Sequence, residues 1–503
     1  MVAKVKTFSF LGIDVVDVDV EVKISSGIPS IQIVGLPDKA VGESRERVRL
    51  AISSTGLSWP QKRITVNMAP ADLQKEGSHF DLAIALGILI EMGILEQNVV
   101  NNFFALGELS LDGSINSVGG IISAAIGANQ RNCGIICPEK NGVEAAWAGD
   151  LPIIATPNLI AFINHCKGEQ FLARPQNSSK IEKIFYPDLS EIKGQETAKR
   201  ALEIAAAGGH NLLFVGPPGT GKSMLASRLN SILPPPDLEE ILEINMIHSI
   251  SGKINDGNLK MTRPYQDPHH SCSMPAMVGG GNKVKPGEVS LASRGVLFLD
   301  ELAEFPRQVL DSLRQPLETG QISVSRANSH ITYPANFQLI SAMNPCKCGY
   351  LGDGKRECKK APICGQEYKN KISGPLLDRI DMIIEVPQID VFFKDHSASE
   401  TSKTVQSRVI KARNIQKFRY ETENDMQNLP KINARISGKM LEKYAGIDDE
   451  SQKILKKSVE QMSTSMRGIT RILRVARTIA DLENANQIKQ IHLLEAIGYR
   501  RKL

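Results

Sequence analysis

Apolar and polar residues interleave near the start of the chain, where Gly12-Ile13-Asp14-Val15-Val16-Asp17-Val18-Asp19-Val20 sets valines between aspartates. A period near two is that of a strand with one buried face. The run from Leu82 to Ile90 is apolar throughout and stops at Glu91, which predicts a core helix. Like every other stretch, it falls short of the ~20 apolar residues that a membrane-spanning helix needs. Three later apolar runs predict strands: Asn211-Leu212-Leu213-Phe214-Val215, Gly295-Val296-Leu297-Phe298-Leu299 and Phe337-Gln338-Leu339-Ile340-Ser341-Ala342-Met343. Alternation from Gln321 to Tyr333, interrupted at Arg326-Ala327-Asn328-Ser329, predicts a β-hairpin. After Val386-Pro387 the pattern turns to charged helical periodicity and stays so to the end.

These shifts divide the chain. Residues 1–166 alternate strands with helices rich in Ala, Gly and Ile, and 167–187 form a linker marked by Ala173-Arg174-Pro175-Gln176-Asn177-Ser178-Ser179-Lys180. An α/β core is expected at 188–388 and a helical lid at 389–503.

The chemistry concentrates in the third part. Gly216-Pro217-Pro218-Gly219-Thr220-Gly221-Lys222-Ser223 matches G-x-x-x-x-G-K-[ST] between a strand and the helical run Met224-Leu225-Ala226-Ser227-Arg228-Leu229. Such glycines let backbone N–H groups turn inward around phosphates, and the helix directs its positive end at them. Lys222 is expected to reach the β- and γ-phosphates of ATP and Ser223 to ligate Mg²⁺. The second strand ends in Asp300 and Glu301, where Asp300 would hold Mg²⁺ through water and Glu301 would polarise the attacking water. The third ends in Asn344, placed as a sensor of the γ-phosphate.

Length and charge bound this reading without selecting it. A chain of 503 residues holds about three domains. A net charge of +5 excludes a global basic field, so any nucleic-acid contact must be local. Eight scattered cysteines and no visible leader fit a reducing cytoplasm.

Gly194-Gln195-Glu196, the phosphate loop, Asp267-Pro268-His269-His270, Gly287-Glu288-Val289-Ser290-Leu291-Ala292, Leu299-Asp300-Glu301, Ser341-Ala342-Met343-Asn344-Pro345 and Ile372-Ser373-Gly374-Pro375-Leu376-Leu377-Asp378-Arg379-Ile380-Asp381 occur in this order. Together they resemble the YifB/ComM family of Mg-chelatase-like AAA+ ATPases over essentially the whole chain. The resemblance implies an N-terminal Lon-protease-like domain of ribosomal S5-type α+β fold, a central AAA+ P-loop α/β domain and a C-terminal helical lid. It also implies a ring-forming homo-oligomer, a hexamer, acting on DNA as a branch-migration helicase in natural transformation. The alternative is a remodelling ATPase of magnesium-chelatase type that works on a protein or porphyrin partner.

By the same resemblance Arg379 is an arginine finger that serves the neighbouring subunit's nucleotide, and Arg467 is the sensor-2 arginine, with Arg471 and Arg474 at helical spacing from it. Lys283, Lys285 and Arg326 lie where related rings place pore loops, and would contact DNA phosphates without reading sequence; solvated loops carry such cations equally well. Cys346, Cys348, Cys358 and Cys364 could hold Zn²⁺. Lys360 stands where the family's second Cys-x-Cys pair would finish, and four reduced structural thiols fit the spacing as well. In the N-terminal domain His79 occupies the place of the Lon serine and Ile122 the approximate place of its lysine. A Ser–Lys dyad needs both, so peptidase activity is not expected.

Overall fold

The computed structural model describes residues 2–176, 186–254, 259–281, 284–326, 329–351, 360–388, 399–421, 431–462 and 465–500. They form two compact units, Met1–Glu182 with Leu242–Met261, and Lys183–Ile241 with Thr262–Leu503. The fold is mixed α/β, as the sequence predicts.

The first unit is built on a seven-stranded sheet in the order Ser30–Val34, Arg63–Ala69, Asp14–Ser25, Ala3–Leu11, Phe103–Ala105, Gly134–Pro138, Ile153–Thr156. Val18, Val20 and Val22 are buried and Asp17 is exposed, which is the half-buried strand that the alternation predicts. The apolar run becomes helix Asp81–Glu91, buried from Asp81 to Leu89. His79 precedes it, wholly packed. Its Nε2 lies 3.0 Å from the Phe8 carbonyl oxygen, and burial pushes its pKa down to about 4. Ser78 donates to the Glu108 carboxylate, and Ile122 is buried in helix Ile121–Gln130. Ser249, from the segment Leu242–Met261, donates to the buried Glu144 and accepts from the Gly120 amide at 2.7 Å.

The second unit holds a five-stranded sheet in the order Tyr265–Gln266, Val296–Leu299, Gln338–Met343, Leu212–Val215, Met382–Glu385, with every neighbouring pair parallel. Leu212–Val215 and Val296–Leu299 are buried at every position, which explains their unbroken apolar sequence. Phe214, Phe298, Ile340 and Ile384 share one core with Val405, Val409, Ile472, Val475 and Leu493. The helices Ser402–Tyr420, Met466–Leu482 and Gln490–Gly498 therefore continue the core of the sheet.

Two carboxylates buried there are paired. Asp481 accepts from Arg419 at 2.6 Å, from Arg477 Nε at 3.1 Å and from Asn433 at 2.8 Å. Asp381 accepts from the Asn211 amide at 2.9 Å and from Arg471 Nη1 at 3.0 Å. Burial pushes its carboxyl pKa up, but His210, Arg471 and Arg474 outweigh burial and hold it well below the usual carboxylate range. A carboxylate depressed in this way stabilises the fold above its unfolded pKa, about 4, and the contribution is lost as pH falls through the folded value. Asp381→Asn should therefore cost the second unit about 3 kcal/mol near neutrality. The gap from wild type should narrow as the pH is lowered below the unfolded value. Denaturation midpoints of both proteins across that range measure it; a gap that widens in acid would contradict the assignment.

Candidate functional site

Strand Leu212–Val215 delivers the loop that begins at Gly216, and helix Lys222–Ile232 receives it. A Cβ on Gly216 would stand 2.2 Å from the Val386 carbonyl oxygen, so no other residue fits. Gly219 and Gly221 have φ of +79° and +85°, in the left-handed region that glycine enters without cost. Thr220 Oγ1 donates to the Pro217 carbonyl at 3.0 Å and closes the turn. The loop is also braced from outside, because Gly349 packs so closely that a Cβ there would meet Pro218 Cδ at 2.7 Å.

Four predicted side chains meet at this loop. Lys222 Nζ donates to the carbonyls of Gly216 and Pro217 at 2.8 Å each and to Asn344 Oδ1 at 3.2 Å. Burial lowers the pKa of this ammonium, against the pull of Asp300 and Glu301. Ser223 Oγ donates to Asp300 Oδ2 at 2.6 Å. The parallel register explains the convergence: Phe214 lies opposite Ala342, and Phe298 opposite Ile340, so the strands end together with Gly216, Asp300 and Asn344 at one edge. Glu301 follows at φ +52°, its amide donating to Asp300 Oδ1 at 2.9 Å.

The donor set fits a nucleoside triphosphate with Mg²⁺. The loop supplies amides and an ammonium for phosphate oxygens, and Mg²⁺ needs only one or two protein oxygens beside the phosphates and water, which Ser223 and Asp300 can provide. Glu301 adds a carboxylate not engaged by Ser223 or Lys222.

Arg379 and Arg467 lie elsewhere. They line a cavity of about 340 Å³ together with Asn211, Asp381, Arg435, Arg471 and Arg474. Asn211 and Asp381 immediately precede strands Leu212–Val215 and Met382–Glu385, so the cavity opens at the strand ends opposite the phosphate loop. Arg379 donates to the carbonyl oxygens of Arg314 at 2.9 Å and Pro375 at 2.7 Å, and to the Glu318 carboxylate. Arg474 Nε donates to the Ile436 carbonyl at 2.6 Å. Arg435 was not legible as a member of this group. It stands far from the others in sequence, and only folding brings it there.

Of the residues predicted to meet DNA, Lys285 lies on the short ladder of Gly279–Gly280 with Lys285–Pro286. Lys283 lies outside the described residues, and so does the side chain of Arg326. The predicted hairpin is present, Gln321–Arg326 pairing antiparallel with Ser329–Pro334. Cys346 is buried and Cys348 exposed, with their sulfurs 3.1 Å apart. Cys358 lies outside the described residues and Cys364 is half-buried. Among the described residues no group of three or more His, Cys, Asp or Glu side chains could hold a metal ion, so the four-thiolate zinc site is not supported. No helix among the described residues is long and apolar enough to cross a membrane.

Three family models match the chain. That described as magnesium chelatase, subunit ChlI, covers residues 188–392; subunit ChlI of Mg-chelatase covers 20–141, and its C-terminal region 399–500. The chain is 44% identical over 499 residues to competence protein ComM of Haemophilus influenzae, spanning 97% of this chain and 96% of that protein. It is 41% identical over 498 residues to YifB of Escherichia coli, spanning 99% and 96%. Similarity to the magnesium-chelatase 38 kDa subunit of Rhodobacter capsulatus is 28% over 189 residues, 34% of this chain and 54% of that protein.

Proposed function

This chain belongs to the Mg-chelatase-like AAA+ ATPase family that includes ComM and YifB, and from that membership we propose that it is an ATP-driven motor acting on DNA. The observation that carries the motor reading is the separation of two half-sites. Lys222, Ser223, Asp300, Glu301 and Asn344 gather at one end of the sheet, and Arg379 with Arg467 at the other.

In this reading the loop amides and Lys222 hold the phosphates, while Ser223 and Asp300 hold Mg²⁺, whose charge offsets that of the phosphates when it is bound. Glu301 polarises the attacking water and Asn344 orients the γ-phosphate. Arg379 and Arg467 of each protomer complete the pocket of the next, which requires a closed ring, and a hexamer suits it. Residues 1–166 serve as a Lon-like scaffold without peptidase chemistry: buried His79 and Ile122 supply neither hydroxyl nor amine. A linker at 167–187 joins that scaffold to the core at 188–388, and the helices of 389–503 form the lid.

Similarity over nearly the full length to a competence protein is what supports DNA as the polymer. The proposed activity is branch migration or translocation on DNA taken up by a naturally transformable cell, in the cytoplasm. Lys283, Lys285 and Arg326 would grip phosphates, so binding should weaken steeply with salt. Steady-state ATPase rates with single-stranded, forked and no DNA test this. Hydrolysis should rise with DNA, and the rise should vanish at high salt. No stimulation and no DNA binding at low salt would instead favour a remodelling ATPase with a protein partner.

A further inference from the structure

A second, smaller cavity of about 60 Å³ lies beside the arginine cavity and shares Gly209, Phe337 and Arg435 with it. Arg263, Arg294 and Arg413 line it too, and Glu240 is the only carboxylate among the described residues that do; neither Arg379 nor Arg467 lines it. Arg263 and Arg294 stand just before strands Tyr265–Gln266 and Val296–Leu299, and Arg413 belongs to helix Ser402–Tyr420. The cavity therefore lies at the strand ends opposite the phosphate loop.

Glu240 is engaged by Arg263, whose Nη2 donates to it at 2.6 Å. The other nitrogens of Arg263 donate to the carbonyls of Arg294 at 2.6 Å and Pro234 at 2.7 Å. Arg413 gives Nε and Nη2 to the Ala206 carbonyl at 3.0 Å and 2.7 Å, capping helix Glu196–Gly208. Arg435 gives Nη1 to the Leu317 carbonyl at 3.1 Å. Among the described residues neither Arg413 nor Arg435 is ion-paired with a carboxylate. Carbonyl oxygens satisfy N–H groups but do not cancel a charge. Burial, and after it the nearby Arg263, push the pKa of Arg413 down to about 9 despite Glu240. Burial also lowers that of Arg435, against the pull of Asp381 and with the push of Arg294. Elsewhere in this unit buried charge is balanced, Asp381 by Arg471 and Asp481 by Arg419 and Arg477. Here it is not. Capping one helix accounts for one edge of one guanidinium, and leaves a cluster of fork-shaped cationic donors around a void. Such donors suit an oxyanion. A water molecule takes up about 30 Å³ of the liquid, so the void has room for a single tetrahedral ion and none for a nucleoside.

We propose that this cavity is a binding site for a free tetrahedral oxyanion, inorganic phosphate, held by Arg413 and Arg435 with Arg263 and Arg294 around it. The site is separate from the phosphate loop and does not depend on the motor reading.

The test is equilibrium dialysis of the full chain against radiolabelled inorganic phosphate, with Mg²⁺ and a saturating non-hydrolysable ATP analogue present to fill the phosphate loop and the place of the γ-phosphate. One phosphate per chain should bind. Arg413→Gln and Arg435→Gln should each weaken it on the order of 10-fold or more, the scale of a lost charged hydrogen bond. Arg413→Lys keeps the charge without the fork and should weaken it less than Arg413→Gln. Arg379→Ala and Arg467→Ala should bind phosphate as the wild type does, because those arginines line only the larger cavity. Lys222→Ala, dialysed without nucleotide, should still bind one phosphate. If loss of the cap leaves Arg413→Gln unfolded, Arg435→Gln carries the test. Sulfate, of the same shape, should compete with phosphate, and chloride at equal ionic strength should not. No bound phosphate would overturn the proposal, as would wild-type affinity in the glutamine variants. A loss in Arg379→Ala or Arg467→Ala would move the ion to the larger cavity, and displacement by chloride as readily as by sulfate would reduce the site to screening; either result overturns it.

Discussion

Glu301→Gln is expected to bind ATP as the wild type does and to hydrolyse it on the order of 10²–10⁴-fold more slowly, the range a lost general base spans. The change keeps the volume and removes the charge. The phosphate contacts do not depend on it: Lys222 is tied to Gly216, Pro217 and Asn344, and Ser223 to Asp300. The backbone at Glu301 is fixed through its own amide and by the Glu304 amide donating to its carbonyl at 2.7 Å, and the substitution leaves both bonds in place. Nucleotide affinity by fluorescence titration and turnover by phosphate release separate binding from chemistry. Near-normal turnover would remove Glu301 from its role. A loss of affinity equal to the loss of rate would make it a binding residue.

The half of the site that sequence reveals is the half made of adjacent residues. The phosphate loop is one unbroken octet, and Asp300 and Asn344 each end an apolar run, so their places at the strand ends, and the roles proposed for them, follow from local spacing. Parallel pairing then aligns the three strand ends without further information, because register follows from which runs are buried on both faces. The hairpin at Gln321–Pro334 and the helix at Asp81–Glu91 were legible for the same reason. Long-range features were not. The arginine cavity draws Asn211, Arg379, Arg435 and Arg467 from four separate stretches of the chain, and no periodicity links them. Spacing alone could not rank Arg467, Arg471 and Arg474. The fold divides them by giving Arg471 to Asp381 and Arg474 to the Ile436 carbonyl. The pattern also gave no sign that the C-terminal helices share the core of the sheet, since an amphipathic face does not name its partner. The approach of His270 to Glu301 was not legible either, because the two are remote in sequence.

Mixing two inactive variants should restore hydrolysis. Lys222→Ala destroys the phosphate loop of a protomer but leaves its cavity intact, and Arg379→Ala does the reverse; each alone should lose turnover, the second by ~10³-fold or more if the arginine acts as a finger. The strand ends that separate the two half-sites make it hard for one protomer to supply both. In a ring of head-to-tail contacts assembled at random from equal amounts, about one seam in four pairs an intact loop with an intact Arg379, so activity should reach about a quarter of the wild-type rate if seams fire independently. Arg467 lines the same cavity as Arg379, which sharpens the expectation. Arg467→Ala should be rescued by Lys222→Ala subunits. It should not be rescued by Arg379→Ala subunits beyond the seams at which a single protomer still carries both arginines, and equal mixtures of those two contain none. Arg379 has a competing explanation as the surface partner of Glu318, which is 61% exposed. A pair so placed is worth little, and its loss would leave turnover nearly normal. If no mixture of Lys222→Ala with Arg379→Ala exceeds either parent, the arginine does not work across a seam.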